Sequence, residues 1–230
     1  MLYRRKQDAV AKSKEAEFKT KVADTELKVL RAQMNPHFIF NSLNSIGSYI
    51  VNNDTSAANN YLIKFSKLMR QTLENSEKEE ISLKEDLELL NTYLEIEKKR
   101  FLSEFNHKIM IDDTLDVENV LVPPMILQPF VENSIWHGIS KSDKKGSIEI
   151  KVEQHESKII YSVEDNGVGR LKSNEKKMLH KKSLGIKITK NRIDIINKRK
   201  GINASLKIID KNQGTKVEIY LPLTKVFNDD

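Results

Sequence analysis

The sequence predicts an α + α/β chain, a helical hairpin followed by an α/β sandwich. Two observations predict it. Up to about residue 101, apolar residues recur three and four apart among Lys, Glu, Ala and Leu. Beyond that point, short alternating runs rich in β-branched residues interleave with helical stretches. The 230 residues suffice for one or two domains.

Residues 1–26 read as a helical linker. Ala23, Leu27, Leu30 and Met34 follow coiled-coil spacing, and Ile39, Leu43, Ile46 and Ile50 repeat it out of phase. Pro36 lies between the two runs, where a proline removes a helical hydrogen bond at ~3 kcal/mol. The change of side predicts a kink at Pro36 and turns His37 and Asn41 away from the second stripe. "VNNDTSAANN" (51–60) predicts a turn, with Asp54, Thr55 or Ser56 as helix cap. Ala58, Leu62, Phe65, Leu68/Met69 and Leu73 then mark a second amphipathic helix. Two antiparallel helices cannot bury both faces, so residues 20–76 predict a homodimer through a four-helix bundle.

"ISLKEDLELLNTYLEIEKKRF" (81–101) predicts a connecting helix. Ser82 is its cap, and Glu85 completes a capping box. From 102 to 226 the strands are expected at "KIMID", "SIEIKV", "KIIYSVED", "ASLKII" and "TKVEIYLPL", with helices over 123–138 and 185–199.

Composition narrows the function classes. No apolar run approaches the ~20 residues of a membrane span, and no secretion signal is visible. The absence of cysteine excludes disulfides and thiol chemistry, as a reducing compartment allows. Without a secretion signal, the sequons at 53–55 and 203–205 read as chance matches. The net charge of +6 is uneven: residues 1–31 carry nine Lys/Arg against five Asp/Glu, and 170–182 carry six against one. No recognition helix or zinc signature accompanies these clusters, so no nucleic-acid partner is expected. "YRRK" near the start fits the flank of a membrane span preceding this chain.

Three stretches in the second half can carry chemistry together. In "QPFVENSIWHG" (128–138), Asn133 and His137 lie one turn apart, and an amide oxygen can ligate Mg²⁺. In "VEDNGVG" (163–169), a strand ends in Asp165, whose carboxylate can accept from an exocyclic amine. Gly167 and Gly169 there allow close approach of backbone to a ligand. In "KSLGIKITKNRI" (182–193), Gly185 is read as opening a helix whose N-terminus could hold phosphate. Gly214-Thr215 is either a hairpin turn or part of a pocket. Each stretch also has a plain structural reading, as a polar helix edge, a turn or a cap.

In this order and spacing, the stretches resemble the ATP-binding domain shared by histidine kinases, gyrase, Hsp-type chaperones and MutL. The resemblance implies a Bergerat-type α/β sandwich over 102–226. It places Asn133 on Mg²⁺, Asp165 on the adenine amine, and His137, Gly167, Gly169, Gly185, Gly214 and Thr215 around ATP, with a basic lid over 170–183. The first half is more specific. "LRAQMNPHFIFNSLNSI" resembles the phosphoacceptor helix of LytS-type sensor histidine kinases, with Gln33, Asn35, Pro36, His37, Phe38, Phe40 and Asn41 matching. "YLEIEKKRF" and "PPMILQPFVENSIWHG" resemble them too. The implied organisation is a signalling helix (1–26), a dimerisation and phosphoacceptor hairpin (27–80), a connecting helix (81–101) and the ATP-binding domain.

The resemblance implies that His37 takes the γ-phosphoryl group of ATP and passes it to an aspartate of a response regulator, of the LytTR type. A membrane sensor is expected upstream, making this chain the cytoplasmic portion of a membrane protein. Phe38 stands where many such kinases carry an acid, so Glu132, beside Asn133, is the expected base, and Asn41 is expected to orient water for dephosphorylation. Three departures stand out: Ser183 and Ile188 lie in and after the second glycine box, and Ser134, usually alanine, is expected to be neutral. Two other readings remain open, a non-catalytic nucleotide-binding scaffold and a standalone ATPase. Against the latter, Pro129 occupies the position of that branch's glutamate base.

Overall fold

The computed structural model describes residues 36–101, 105–169 and 178–226. The linker 1–26, the seam from Ala23 to Met34, Gln33, Asn35 and lid residues 170–177 lie outside them. The kink expected at Pro36 depends on those preceding residues. The side chains of Pro36, Ser183 and Ile188 also lie outside the description.

The helical half is a hairpin of α1 (Pro36–Val51) and α2 (Thr55–Ser76). The expected turn is shorter than read: Asp54 caps α2, its carboxylate accepting from Ala57 N at 2.9 Å, and Asn53 takes a positive φ of 58°. The buried face of α2 is Ala58, Tyr61, Leu68, Thr72 and Asn75, with Phe65 half-buried. This face runs at helical three-four spacing but is half polar. It therefore differs from the expected stripe, of which Leu62 and Leu73 are exposed. On α1 the inward residues are Phe38 and Ser42, while Leu43 and Ile50 of the expected stripe point outward.

The short strand β1 (Ile81–Ser82) leads into α3 (Leu83–Arg100). Ser82 caps α3 as expected, accepting from Glu85 N at 3.1 Å. The other arm of the capping box is redirected, because Glu85 pairs with Lys78 at 3.1 Å. α3 forms the spine between the two halves, with Leu83, Leu90, Tyr93, Leu94 and Ile96 buried.

The second half contains β2 (Phe105–Ile111), β3 (Val120–Val122), β4 (Gly146–His155), β5 (Lys158–Asp165), β6 (Ser205–Asp210), β7 (Thr215–Pro222) and β8 (Thr224–Lys225). Five strands form a mixed sheet in the order β2-β4-β5-β7-β6, with only β2 and β4 parallel. β5 is therefore central, and Asp165 stands at its C-terminal end, paired in register with Ile148 of β4. β1, β3 and β8 form a separate antiparallel sheet that was not expected. Strands of two or three residues carry no readable period. His107 lies inside β2, its ring 3.0 Å from Asn91 Oδ1.

The helix expected over 123–138 starts later, at α4 (Gln128–Asn133), because Pro123, Pro124 and a positive φ at Met125 hold the chain out of the helix. It continues as a π-turn (Ser134–Gly138) and a 3₁₀ turn (Ile139–Lys141). Helix α5 runs from Met178 to Lys200. This corrects the reading of Gly185: the helix begins seven residues before it, so Gly185 is interior and offers no N-terminal phosphate site. A single glycine costs a helix only about 1 kcal/mol, which the surrounding Leu, Lys and Ile residues outweigh.

One buried polar contact ties α3 to the sandwich. Asp86 Oδ1 accepts from Met125 N at 2.6 Å, and the half-buried Arg192 on α5 donates to Pro124 O at 2.6 Å. Burial pushes the Asp86 carboxyl up to about 6 against the pull of the Met125 N–H and Arg192.

Candidate functional site

A cleft opens between α4 with its π-turn, strands β5, β6 and β7, and α5. Phe130, Asn133, Ser134, His137, Gly138, Asp165, Gly169, Ile186, Ile208, Thr215 and Val217 line it. Of the residues singled out in the sequence, Asn133, His137, Asp165, Gly169 and Thr215 meet here. Gly167 and Gly214 stand behind Asp165, and the surroundings of Gly185 lie outside the description.

Asp165 is the polar anchor. It is 6% exposed. Oδ1 accepts from Gly167 N at 2.9 Å, Oδ2 accepts from the Ser134 hydroxyl at 3.0 Å, and Thr215 N–H also donates to the carboxylate. Burial raises its pKa, and these three donors oppose the rise. A carboxylate accepts about four hydrogen bonds, so capacity for one donor from the cleft remains. Ser134, read from the sequence as neutral, is thus a partner of the anchor.

Two glycine contacts make the corner possible. A Cβ on Gly167 would sit 2.3 Å from the carbonyl carbon of Gly138, so the strand-end loop and the π-turn touch backbone to backbone. Val168 N donates to Gly138 O across the same contact at 3.2 Å. Gly214 has φ of 80°, and a Cβ there would lie 1.8 Å from Asp165 O. Asn166 pins the loop from the other side, accepting from Ser147 N at 2.7 Å and donating to Lys145 O at 3.1 Å.

The cleft suits an adenine nucleotide. Phe130, Ile186, Ile208 and Val217 offer apolar walls, and the Asp165 carboxylate offers one acceptor for an exocyclic amine. For Mg²⁺, Asn133 supplies a hard oxygen from the wall. No group of three or more His, Cys, Asp or Glu residues that could hold a metal occurs among the described residues. Mg²⁺ would therefore take most of its remaining ligands from phosphate and water, its usual habit.

His37 lies outside the cleft lining but against the same wall. It is exposed on α1. Its ring centroid is 4.4 Å from that of Trp136, at 65°. Asn41 Nδ2 lies 3.2 Å from each ring nitrogen. The neighbouring Phe38 is buried, 5.9 Å from Phe65 and 5.2 Å from Tyr93 between ring centroids. Glu132 is half-buried one turn before Trp136 and accepts from Gln128 Nε2 at 3.1 Å.

The chain is similar to several known proteins. Residues 25–105 match the family model for histidine kinase. The Sensor protein LytS of Staphylococcus saprophyticus is 33% identical over 209 residues, covering 87% of this chain and 34% of that protein. The Sensor protein LytS of Oceanobacillus iheyensis is 35% identical over 210 residues, covering 86% and 34%. Among solved structures, the histidine kinase domain of the Erythrobacter litoralis EL346 blue-light activated histidine kinase aligns at 16% identity and a TM-score of 0.49, covering 87% of this chain and 96% of that one. The chain spans about a third of the length of the curated relatives it matches. On these relatives and this family model, the chain belongs to the histidine kinase family, in its LytS-type branch.

Proposed function

We propose that this chain is the kinase core of a LytS-type sensor, which phosphorylates His37 from ATP and hands the phosphoryl group to an aspartate of a response regulator of the LytTR type. The observation that carries this reading is the shared wall: α4 and its π-turn line the nucleotide cleft and also meet the ring of His37.

In this reading Asp165 accepts from the adenine amine, and the apolar walls hold the base. Asn133 holds Mg²⁺, which neutralises charge on the phosphates when bound. His137, Gly169 and Thr215 border the nucleotide, with Gly167 and Gly214 shaping the corner behind Asp165. A neutral ring nitrogen of His37 attacks the γ-phosphorus. An N–P bond forms, the bridging P–O bond to the β-phosphate breaks, and ADP leaves. Imidazole suits this step because its ordinary pKa of about 6.5 leaves it neutral at pH 7. Glu132 takes the proton lost from the other ring nitrogen. Asn41, one turn beyond His37, orients water for the reverse task, removal of phosphate from the regulator. One relative bears a name that joins both activities, the Sensor histidine kinase/phosphatase LytS of Staphylococcus aureus.

The working form is a homodimer. Phe40, Leu43, Ile50, Val51, Leu62, Ile63 and Leu73 are all exposed on the hairpin, a larger apolar surface than a monomer usually leaves wet. No described helix is long and apolar enough to cross a membrane. In the full protein this core works at the cytoplasmic side of a membrane sensor.

Incubation with γ-labelled ATP and Mg²⁺ tests the reading. It predicts protein-bound phosphate that is labile in acid and stable in base. ATP binding without such label would favour the scaffold, and steady hydrolysis without label the standalone ATPase.

A further inference from the structure

We propose that Trp136 is a positioning residue for the acceptor: its ring, backed by Arg100, seats His37 for phosphorylation from the cleft of the same chain. The proposal rests on the reading of His37 as the acceptor.

The seat is built from three directions. Phe38 anchors α1 between α2 and α3, and the residue before it is thereby delivered to Trp136. Trp136 itself is held. The Arg100 guanidinium lies 4.0 Å over its ring, and Phe101 meets it edge-on at 5.4 Å. Arg100 is in turn fixed by an ion pair to Glu97, whose side chain is fully buried. Rotamer freedom is therefore low at the surface that His37 meets.

The location gives the seat a purpose. Trp136 belongs to the π-turn Ser134–Gly138, and Ser134, His137 and Gly138 of that turn line the cleft. The extra residue in a π-turn changes the facing of side chains around it, a feature frequent at functional sites. One flank of the wall thus meets the nucleotide and the other meets the acceptor. An edge-on aromatic contact limits tumbling of the imidazole yet leaves it exposed for attack. Fixing a reactant in this way lowers the entropic barrier of the transfer. An aromatic pair of this kind is worth about two- to tenfold in a rate.

Trp136 is the single tryptophan of the chain, so its emission reports this contact without interference. The test uses the full chain as wild type, His37→Gln, Trp136→Phe and Trp136→Ala. Without nucleotide, His37→Gln should change the Trp136 emission; an unchanged spectrum overturns the seat. Trp136→Ala should lower the maximal labelling rate about tenfold with the KM for ATP held within about twofold, and Trp136→Phe should recover most of the rate. An Ala variant that labels equally fast or faster overturns the proposal, because the contact would then be idle or a parking site. A raised KM also overturns it, since Trp136 would only be supporting the wall. Co-expressed dimers of His37→Gln with Asp165→Asn chains test the same-chain clause, at an ATP concentration where Asp165→Asn alone does not label. They should stay unlabelled, and labelling would overturn that clause. If wild type takes up no phosphate, the acceptor reading has failed, while the emission comparison still decides whether the contact exists.

Discussion

Asp165 is 6% exposed and its carboxylate is bonded by Gly167, Ser134 and Thr215. His37, at the other end of the proposed reaction, is exposed beside the Trp136 ring and the Asn41 amide. The first is fixed before any ligand arrives, by a loop so tight that only glycine fits at 167. The second is exposed, as the proposed role of giving and receiving phosphate from two different partners requires. Binding groups profit from complete prior bonding, whereas a relay group must stay reachable.

The largest effect should come from filling the tight corner. Gly167→Ala places a Cβ 2.3 Å from Gly138 C, and backbone cannot yield as a flexible side chain would. Overpacking of this kind costs about 1–3 kcal/mol, a fall in Tm of roughly 2–12 °C. Nucleotide binding should fall with it. Calorimetry and thermal melts check both; an unchanged affinity would mean that the corner is not the binding end.

A break confined to binding is Asp165→Asn. The amide can turn a donor toward Gly167 N–H or the adenine amine, leaving one buried group unpaired. The cost is about 1–3 kcal/mol, roughly ten- to hundredfold in affinity. Calorimetric affinity equal to wild type would remove Asp165 from the site.

At the exposed end, Asn41→Ala should leave labelling of His37 largely intact while slowing removal of phosphate from the regulator by about tenfold. Equal loss of both would make Asn41 part of the forward step. The hairpin surface can be broken separately. Leu43→Glu, at a residue 51% exposed in this chain, should shift the mass seen by light scattering from dimer toward monomer. A monomeric wild type at tens of micromolar would count against the bundle.

The smallest effect concerns Asp86, in the spine between the two halves. Its carboxyl is pushed up to about 6 from the usual 3.8. A raised carboxyl pKa means that the folded protein binds the proton more tightly. Its contribution is therefore fully present below the unfolded value and is lost as pH rises through about 6. Denaturant titrations of Asp86→Asn should show a flatter stability profile between those pH values than wild type. An identical slope would refute the shift.

The legibility of the molecule followed the same divide. Asp165, Gly167, Asn133, His137 and Thr215 could be singled out as short motifs resembling those of a known domain, and the fold brings them together at one cleft and its corner. The partners of Asp165 were less visible. Ser134 differs from alanine by one hydroxyl, and nothing in the chain marks that it reaches a residue 31 positions away. Gly138 reads as a helix end until its contact with Gly167 is seen. Gly185 was misplaced because a glycine among good helix formers resembles a helix start as much as a helix interior. The buried face of α2 was misread because Tyr61, Thr72 and Asn75 contribute half of it, and hydropathy counts them as surface. Trp136 gave no signal, since its contacts with His37 and Arg100 join α1, α3 and the π-turn at long range.

The contrast between a fixed binding corner and an open relay group is tested most directly by paired measurements on His37→Gln: ATP affinity by calorimetry and uptake of acid-labile, base-stable label from γ-labelled ATP. The account predicts affinity within about twofold of wild type, because His37 does not line the cleft, together with complete loss of label, because glutamine has no nucleophilic ring nitrogen. Label that persists with the same stability profile would contradict it.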